Sequence, residues 1–528
     1  MASVVIGVDV GTTGVKAVLL SATGQLLAEA GEEYVTHYVE PGGAEQDPDD
    51  WWRTTARSIA GVLNRGGVPA GDVAGVGVSS QAPSVVVVDA AGRPVRPALL
   101  WLDRRGRAGC EARAAHAAEI LARTGNRLDA YFAAPKLAWL LAAEPGVRRA
   151  GRQVLMANGY VVRMLTGHAT CDTGHAGLTL LGDLATGHWS ADLAELWGVP
   201  AAWLPKVAEP SAVAGTVTPE AASATRLLAG TPVVTGVVDG AAASLEAGLA
   251  SHGDVCEMTG QSTVVNAAVD VARLRHDALG TVSVLPYPIR GHHLVYGSMV
   301  ATGGILRWFR EEFGDRERAL AGPDGDAFGA LDQLAGEAPL GSGGLVLLPY
   351  FLGERSPIWD ADARGALVGL SMGSRRSDVV RAILEGTAYG LAHNLDELAR
   401  LGLRPAVLRS VGGGAKGRTW NQIKADVTGL PIELPYEARG APVGAALVAA
   451  AGVGIVDDLA ATVRARTQVA ERIEPDTGRH AAYQPYVRIY RDLYPSLRRT
   501  YEQLAALRSA PHTTRDPAGG DDRPNPDH

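Results

Sequence analysis

Residues 4–20 constrain this chain most. Val4-Val5-Ile6-Gly7-Val8-Asp9-Val10 and Val15-Lys16-Ala17-Val18-Leu19-Leu20 are apolar, β-branched-rich runs separated by Gly11-Thr12-Thr13-Gly14, the pattern of a β-hairpin. A purely structural hairpin needs only a polar tip. This tip adds an acid at the end of a buried strand, two hydroxyls and two glycines. Glycine lets backbone N–H groups approach an anion and threonine supplies further donors, which is the chemistry of a phosphate cradle. Asp9 would repel that phosphate, so the pattern predicts Mg²⁺ bound by Asp9 through water.

A second unit of the same kind starts near residue 250, where Gly253–Asn266 reads as strand, Gly/Gln/Ser/Thr turn and strand. This restart predicts two domains of one plan, each offering a phosphate-facing hairpin, with the boundary near Leu249–Gly253. At 528 residues the chain exceeds what one core fills. A 46% hydrophobic and 20% charged composition provides those cores. The net charge of −8 argues against a nucleic-acid or anionic-membrane surface. Cys110, Cys171 and Cys256 lie far apart without metal-ligand spacing, which predicts a reducing, cytoplasmic setting. Residues 1–20 lack the plan of a signal peptide, and Ala441–Val456 is too short to span a bilayer.

Between the hairpins, Gln25–Ala30 continues the meander, and Glu45-Gln46-Asp47 reads as a solvated acidic entry to a helix capped by Asp49 or Asp50 and running from Trp51 to Leu63. Val73–Ser79 and Val85–Val88 read as strands; Ala108–Arg123, Pro135–Ala143 and Val154–Leu165 read as helices. Ligands collect at strand ends in α/β sheets, so Gln81, Trp101 and Asp103 are ligand candidates, with Trp101 either packing in a core or stacking on a ligand. His168, His175 and His188 match no metal motif and read as surface or structural histidines. Pro232–Val238 is another buried strand, ending in Asp239 and Gly240.

In the second half, Gly303–Phe309 reads as a turn into a helix and Ser377–Asn394 as an amphipathic helix. Strand Val407–Val411 leads into Gly412-Gly413-Gly414-Ala415-Lys416 and then a helix through Trp420–Thr428. Consecutive glycines at such a turn let a flat ring or a phosphate lie against backbone. The last helix is expected over Ile489–Leu507, and residues 508–528 as a disordered tail. No Gly-x-x-x-x-Gly-Lys-Ser/Thr occurs and no Gly-x-Gly-x-x-Gly follows the first strand, which disfavours a P-loop NTPase and a dinucleotide dehydrogenase. Two acids at strand ends, two Gly/Thr/Ser hairpins and a late triple-glycine turn instead suggest ATP clasped between two similar domains.

These motifs resemble those of the FGGY carbohydrate kinases, within the actin-like superfamily, over the whole chain up to the tail; xylulokinases are the subgroup nearest to it. The most specific stretch is Pro349-Tyr350-Phe351-Leu352-Gly353-Glu354-Arg355-Ser356-Pro357-Ile358-Trp359-Asp360, continuing through Ala363-Arg364-Gly365 to Gly369-Leu370. Gly412–Lys416 with Trp420 and Asp426, Glu45-Gln46-Asp47-Pro48, Trp101-Leu102-Asp103 and Leu165-Thr166-Gly167 also fit. The resemblance implies an α/β fold of two actin-like, ribonuclease H-like domains around an ATP/sugar cleft. It places an N-terminal sugar-binding domain at 1–250 and a C-terminal nucleotide-binding domain at 251–507.

Carried over by position, the resemblance implies that Asp9 positions Mg²⁺, that Gly11, Thr12 and Thr13 face the phosphates, and that Asp239 is the general base. Gly260 and Ser262 would meet the terminal phosphates, Gly303 the nucleotide, and Gly413, Gly414 and Ala415 the adenosine. Lys16, Gln261, Arg307 and Arg418 belong to the same nucleotide side. The sugar would lie among Gln81, Ala82, Pro83, Trp101, Asp103, Asp239 and Gly240. Three positions depart from the family. Ala82-Pro83 stands where xylulokinases have Met-His and glycerol kinases Arg-Glu, Gly240 stands for the family's amide, and Gln261 for its usual Thr. The first two remove side chains that bind sugar hydroxyls. The implied activity is transfer of the ATP γ-phosphoryl group to a hydroxyl of an open-chain ketose such as D-xylulose. The alternatives are a kinase of another polyol, ketose or aldonate (ribulose, erythritol, gluconate) and a non-catalytic sensor. A homodimer is compatible with the resemblance, and no stripe marks an interface.

Overall fold

The computed structural model describes residues 3–322 and 325–509. The first hairpin forms as the sequence requires: β1 (Val4–Val10) pairs antiparallel with β2 (Gly14–Ser21) from Val4↔Ser21 to Val10↔Val15. β3 (Leu26–Glu33) continues the meander on β2. On the other side of β1 lies β4 (Val73–Ser80), parallel to it. A parallel neighbour needs a crossover, which helix α1 (Pro48–Gly66) supplies. β5 (Val213–Thr216) and β6 (Pro232–Val234) extend the sheet to the order β5-β6-β4-β1-β2-β3, and β7 (Val237–Val238) pairs with the end of β4 before helix α2 (Asp239–Glu246) begins. The central strands are buried on both faces, which is why they read as near-continuous Val/Ile runs rather than as alternations.

The second half repeats this plan. β8 (Val255–Thr259) and β9 (Thr263–Asp270) form the hairpin, and β10 (Ser283–Pro286) and β11 (His292–Met299) extend it antiparallel. β12 (Leu408–Val411) and β13 (Ile432–Pro435) add in parallel beside β8, and β14 (Val469–Ile473) closes the edge antiparallel. Each sheet is therefore a hairpin with antiparallel strands on one flank, one in the first sheet and two in the second, and two parallel strands plus an antiparallel edge on the other. The longest helices of this half are α3 (Gly303–Phe313), α4 (Arg376–Arg400), α5 (Arg418–Thr428), α6 (Ala441–Gly452) and α7 (Thr477–Ser509).

Helix α6 belongs to the second half by sequence but packs on β1, β4 and α2 of the first. Small residues make this possible. A Cβ on Gly7 would stand 1.9 Å from the Pro442 carbonyl oxygen, one on Gly77 2.1 Å from that of Ala445, and one on Gly444 1.9 Å from that of Ala242. The Ala-rich sequences of α2 and α6 are thus a packing requirement of the helix layer between the sheets. Farther out, the Asn126 side-chain amide donates to the Val284 carbonyl (2.8 Å) and accepts from its N–H (3.0 Å), so a side chain of the first half pairs with strand β10 of the second.

Several local expectations are corrected. The cap of α1 is Asp47, whose carboxylate accepts from Asp49 N (3.0 Å), with Pro48 in the first turn, where its missing N–H costs nothing. Glu45 is not solvated: with Gln46 it lies in a buried strand, paired to Arg96 and Arg105 at 2.5 Å each. Gln153–Met156 is a strand antiparallel to Val85–Val88, and the helix expected from Val154 begins at Ala157. The helix expected over Ala108–Arg123 is broken into Arg107–Glu111, a 3₁₀ turn and Ala117–Thr124, where Arg113 turns to bond the Leu196 carbonyl (2.8 Å). Helix α7 starts at Thr477, twelve residues before the expected Ile489, and carries Pro485 and Pro495. The helix runs through Arg508 and Ser509, which were expected in the tail; the rest of the expected tail lies outside the described residues. Among the described residues, no helix is long and apolar enough to cross a membrane.

Candidate active site

Register decides the geometry at the first sheet. Asp9 pairs with Ser79 across β1 and β4, and Ser80 with Val238 across β4 and β7. Asp9 and Asp239 therefore end strands on either side of β4, roughly 10 Å apart in backbone by two inter-strand spacings. Asp9 accepts from Ser79 Oγ (2.8 Å), and Asp239 from the N–H of Gly240 (2.6 Å). Burial raises Asp9 to about 6, against the Ser79 bond and the charge of Lys16 on β2. Burial, and then the negative charge of Asp9, raises Asp239 to about 7. The two acids share one electrostatic environment.

Beneath them lies a network that sequence reading missed. His175 Nδ1 meets Asp172 Oδ2 at 2.5 Å and its Nε2 meets Ser80 Oγ at 3.1 Å; Asn158 Nδ2 donates to Asp172 (3.0 Å). All four side chains are fully buried, and His175 acts on Asp239 to lower its proton affinity. The available signal was Asp172-Thr173-Gly174-His175, an acid that caps a one-turn helix three residues before its own histidine.

The first hairpin's tip is held by side chains of the first domain. Gln81 Nε2 donates to the Gly11 carbonyl (3.1 Å) and to Gln46 Oε1 (2.9 Å), Gln46 Nε2 donates to the Thr12 carbonyl (2.7 Å), and Tyr34 OH donates to the Gly11 carbonyl. Trp101 Nε1 donates to Thr12 Oγ1 (3.0 Å), while Thr13 and Lys16 are exposed. Gln81 is fully buried with its amide engaged, so it positions the turn instead of offering a free ligand contact. Asp103 is likewise fully buried, accepting from Ala44 N (3.1 Å) and from Arg105 Nη2 (2.6 Å); it braces the strand carrying Glu45. Ala82 and Pro83 follow directly, and Tyr131 OH donates to the Ala82 carbonyl (2.9 Å).

On the second sheet, Gly260, Gln261, Gly303, Arg307, Gly413 and Gly414 line one cavity of about 370 Å³, together with Phe328, Asp332 and Trp420. Of the expected nucleotide residues, Ser262, Ala415 and Arg418 do not line it. The hairpin is tied to α3 because Thr302 N and Gly304 N both donate to the Gln261 carbonyl (3.1 and 3.0 Å). A buried pair, Lys424 Nζ to Glu257 Oε1 at 2.5 Å, joins β8 to α5 below the glycine turn. A larger hollow, about 860 Å³ between Ser21–Gln25 and Asp457–Arg466, holds neither carboxylate nor the glycine turns.

The FGGY family of carbohydrate kinases matches the chain twice, its N-terminal domain over residues 4–245 and its C-terminal domain over residues 260–453. A glycerol kinase of Aromatoleum aromaticum is 33% identical over 488 residues, 90% of this chain and 94% of that one. This chain belongs to the FGGY family. It is accordingly an ATP-dependent sugar kinase with the family's two-domain α/β fold. A xylulose kinase of Bacillus subtilis is 29% identical over 494 residues, covering 93% of this chain and 96% of its own. The crystal structure of a xylulose kinase from Rhodospirillum rubrum superposes with a TM-score of 0.84 at 33% identity, covering 94% of this chain and 100% of that one.

One prediction concerns the cavity between the second hairpin and the glycine turn. A Cβ on Gly303 would lie 2.2 Å from the Gly260 carbonyl oxygen, so Gly303→Ala must push hairpin and helix apart. The KM for ATP is expected to rise about tenfold or more, with the acceptor KM little changed, as read by steady-state kinetics.

Proposed function

We propose that this kinase transfers the ATP γ-phosphoryl group to a hydroxyl of an open-chain polyhydroxy acceptor bound on the Gln81–Trp101 side of the cleft, with Asp239 as general base. The observation that carries this reading is the pair of buried acids at the ends of the two strands flanking β4, both pushed above the usual carboxylate range. An alcohol is a poor nucleophile at neutral pH, so a carboxylate must take its proton as its oxygen bonds to phosphorus and the bond to the ADP oxygen breaks. A base with a pKa near 7 suits that transfer. The first hairpin would hold the phosphates, and the cavity beside Gly413 and Gly414 the adenosine.

Mg²⁺ fits the same end of the sheet, because two buried acids, one of them raised further by the charge of the other, are a donor set that a divalent cation neutralises. Asp9 would hold it, and when bound it supplies charge compensation to the phosphates. The acceptor reading is an open-chain ketose such as D-xylulose, from the xylulose kinases among its relatives. Ala82-Pro83 favours a second reading, another polyol, ketose or aldonate, since neither side chain can bond a hydroxyl. The proposal includes a cytoplasmic enzyme with three unbridged thiols, without a nucleic-acid partner. A homodimer is its assembly, tested by light scattering.

The test is coupled detection of ADP release, without and with a panel of ketoses, alditols and aldonates. Acceptor-dependent release is expected; nucleotide and sugar binding without release would instead identify a sensor. The base assignment also fixes the sign of a pH effect. Activity should fall as pH drops through the value of Asp239, near 7. The Gly240 N–H and then His175 hold that value down, and His175→Gln removes the second of them, so the acid limb of kcat/KM moves to higher pH. An unmoved limb would separate His175 from the base.

A further inference from the structure

The walls of the cavity beside Gly413 and Gly414 rest on one buried chain of polar side chains. Glu257, on β8, is its centre. Its Oε1 accepts from Lys424 Nζ of α5 (2.5 Å) and from Ser410 Oγ of β12, and its Oε2 from Thr259 Oγ1 (2.5 Å). Thr259 Oγ1 and Thr263 Oγ1 lie 2.8 Å apart, and Thr263 Oγ1 donates to Thr302 Oγ1 (2.9 Å). All six side chains are buried. Each part of the chain carries a piece of the cavity. Thr302 immediately precedes Gly303, a lining residue at the start of α3. Thr259 and Thr263 are the pair that closes the β8–β9 hairpin, whose turn supplies Gly260 and Gln261 to the lining. The glycine turn rests on the same threonine, since a Cβ on Gly414 would stand 2.4 Å from Thr259 Cγ2. Lys424 Nζ lies 4.9 Å from the ring centre of Trp420, another lining residue.

The fold itself does not require polar groups at these places. The first hairpin follows the same plan with Val10 and Val15 as its closing pair and Val8 two residues before it, all buried. The second hairpin has Thr259, Thr263 and Glu257 there. A buried ion pair adds little or no net stability over apolar groups of the same volume. Directed bonds supply something that apolar contacts do not, a fixed distance and direction between the elements they join. Here those elements are the hairpin, α3, β12 and α5, which surround one cavity.

We propose that this chain is a positioning device for the nucleotide, in which Glu257, Thr263 and Thr302 act through the hairpin, α3 and the glycine turn to set the width of the cavity. None of the three lines the cavity, so they are positioning residues that act through Gly260, Gly303 and Gly414. The proposal rests on the reading that this cavity takes the nucleotide, and it names the residues behind the walls that tune affinity there.

The test is calorimetry of the full chain with ADP, which reads nucleotide affinity independently of the acceptor. Thr263→Val removes one hydroxyl from the middle of the chain and keeps the branched shape. The Kd for ADP is expected to rise about tenfold, and Thr263→Ser, which returns the hydroxyl, to restore most of the affinity. Thr302→Val and Ser410→Ala cut the chain at its two ends. Because the chain acts as a unit, the double variant is expected to bind within about twofold of the weaker single one. Losses that multiply overturn the proposal, as does an unchanged Kd in Thr263→Val. Gly413→Val separates this outcome from a failure of the nucleotide reading. Nothing lies within 4 Å of a Cβ at Gly413, so the new side chain fills the cavity without displacing protein. Weak binding in Gly413→Val with normal binding in Thr263→Val removes the positioning chain alone. Unchanged binding in Gly413→Val removes the nucleotide reading of the cavity, and the proposal with it.

Discussion

Asp239→Ala is expected to lower acceptor-dependent kcat/KM by about 10³-fold and to leave ATP binding intact. Asp239 sits where β7 ends and α2 begins, its carboxylate bonded within hydrogen-bond distance only to the N–H of Gly240. The cavity proposed for the nucleotide's base is lined by the second sheet's hairpin, α3 and the Gly413-Gly414 turn, and the lining does not include Asp239. Loss of the carboxylate therefore removes the proton acceptor without removing a wall of that cavity. Nucleotide affinity by calorimetry and turnover by ADP release should part company. Near-normal turnover in Asp239→Ala would remove the base assignment.

Gly7→Val is expected to destabilise the protein by at least about 3 kcal/mol, a large share of the stability of a typical domain. The first atom of any side chain at Gly7 would stand 1.9 Å from the Pro442 carbonyl oxygen and 2.6 Å from Ala446 N. These are backbone atoms of a buried helix, which cannot swing aside as a side chain can. Either α6 leaves the sheet or β1 distorts, and β1 carries Asp9. Gly71→Ala is the control: nothing lies within 4 Å of a Cβ there, and the change should stay within about 0.5 kcal/mol. Urea midpoints of the two variants measure the contrast, and equal midpoints would contradict the packing account.

Much of this architecture was legible in the residues themselves. The two hairpins announced themselves through apolar runs broken by Gly and hydroxyl residues, because a buried central strand leaves no room for polar alternation. Asp9 and Asp239 were legible for the same reason, as acids that end such runs. What escaped was whatever depends on partners far along the chain. Glu45 looks like a solvated acid until Arg96 and Arg105 arrive from fifty and sixty residues away. Gln81 and Asp103 look like ligands because they end strands, yet their polar atoms are consumed by Gly11, Gln46, Ala44 and Arg105. His175 carries no sequence pattern beyond Asp172, and its place beneath Asp239 emerges only when Ser80 is set beside Val238. Helix α6 reads as a generic apolar stretch; the glycines that receive it lie on strands hundreds of residues earlier.

The proposed mechanism requires the terminal phosphate of ATP to lie between Asp9 and Asp239, with the adenosine against Gly413 and Gly414. A crystal structure of the full chain with a non-hydrolysable ATP analogue and Mg²⁺ tests it most directly. The account predicts both carboxylates turned toward the terminal phosphate and the base of the nucleotide in the cavity beside Trp420. A nucleotide bound elsewhere, or both carboxylates turned away from it, would contradict the account.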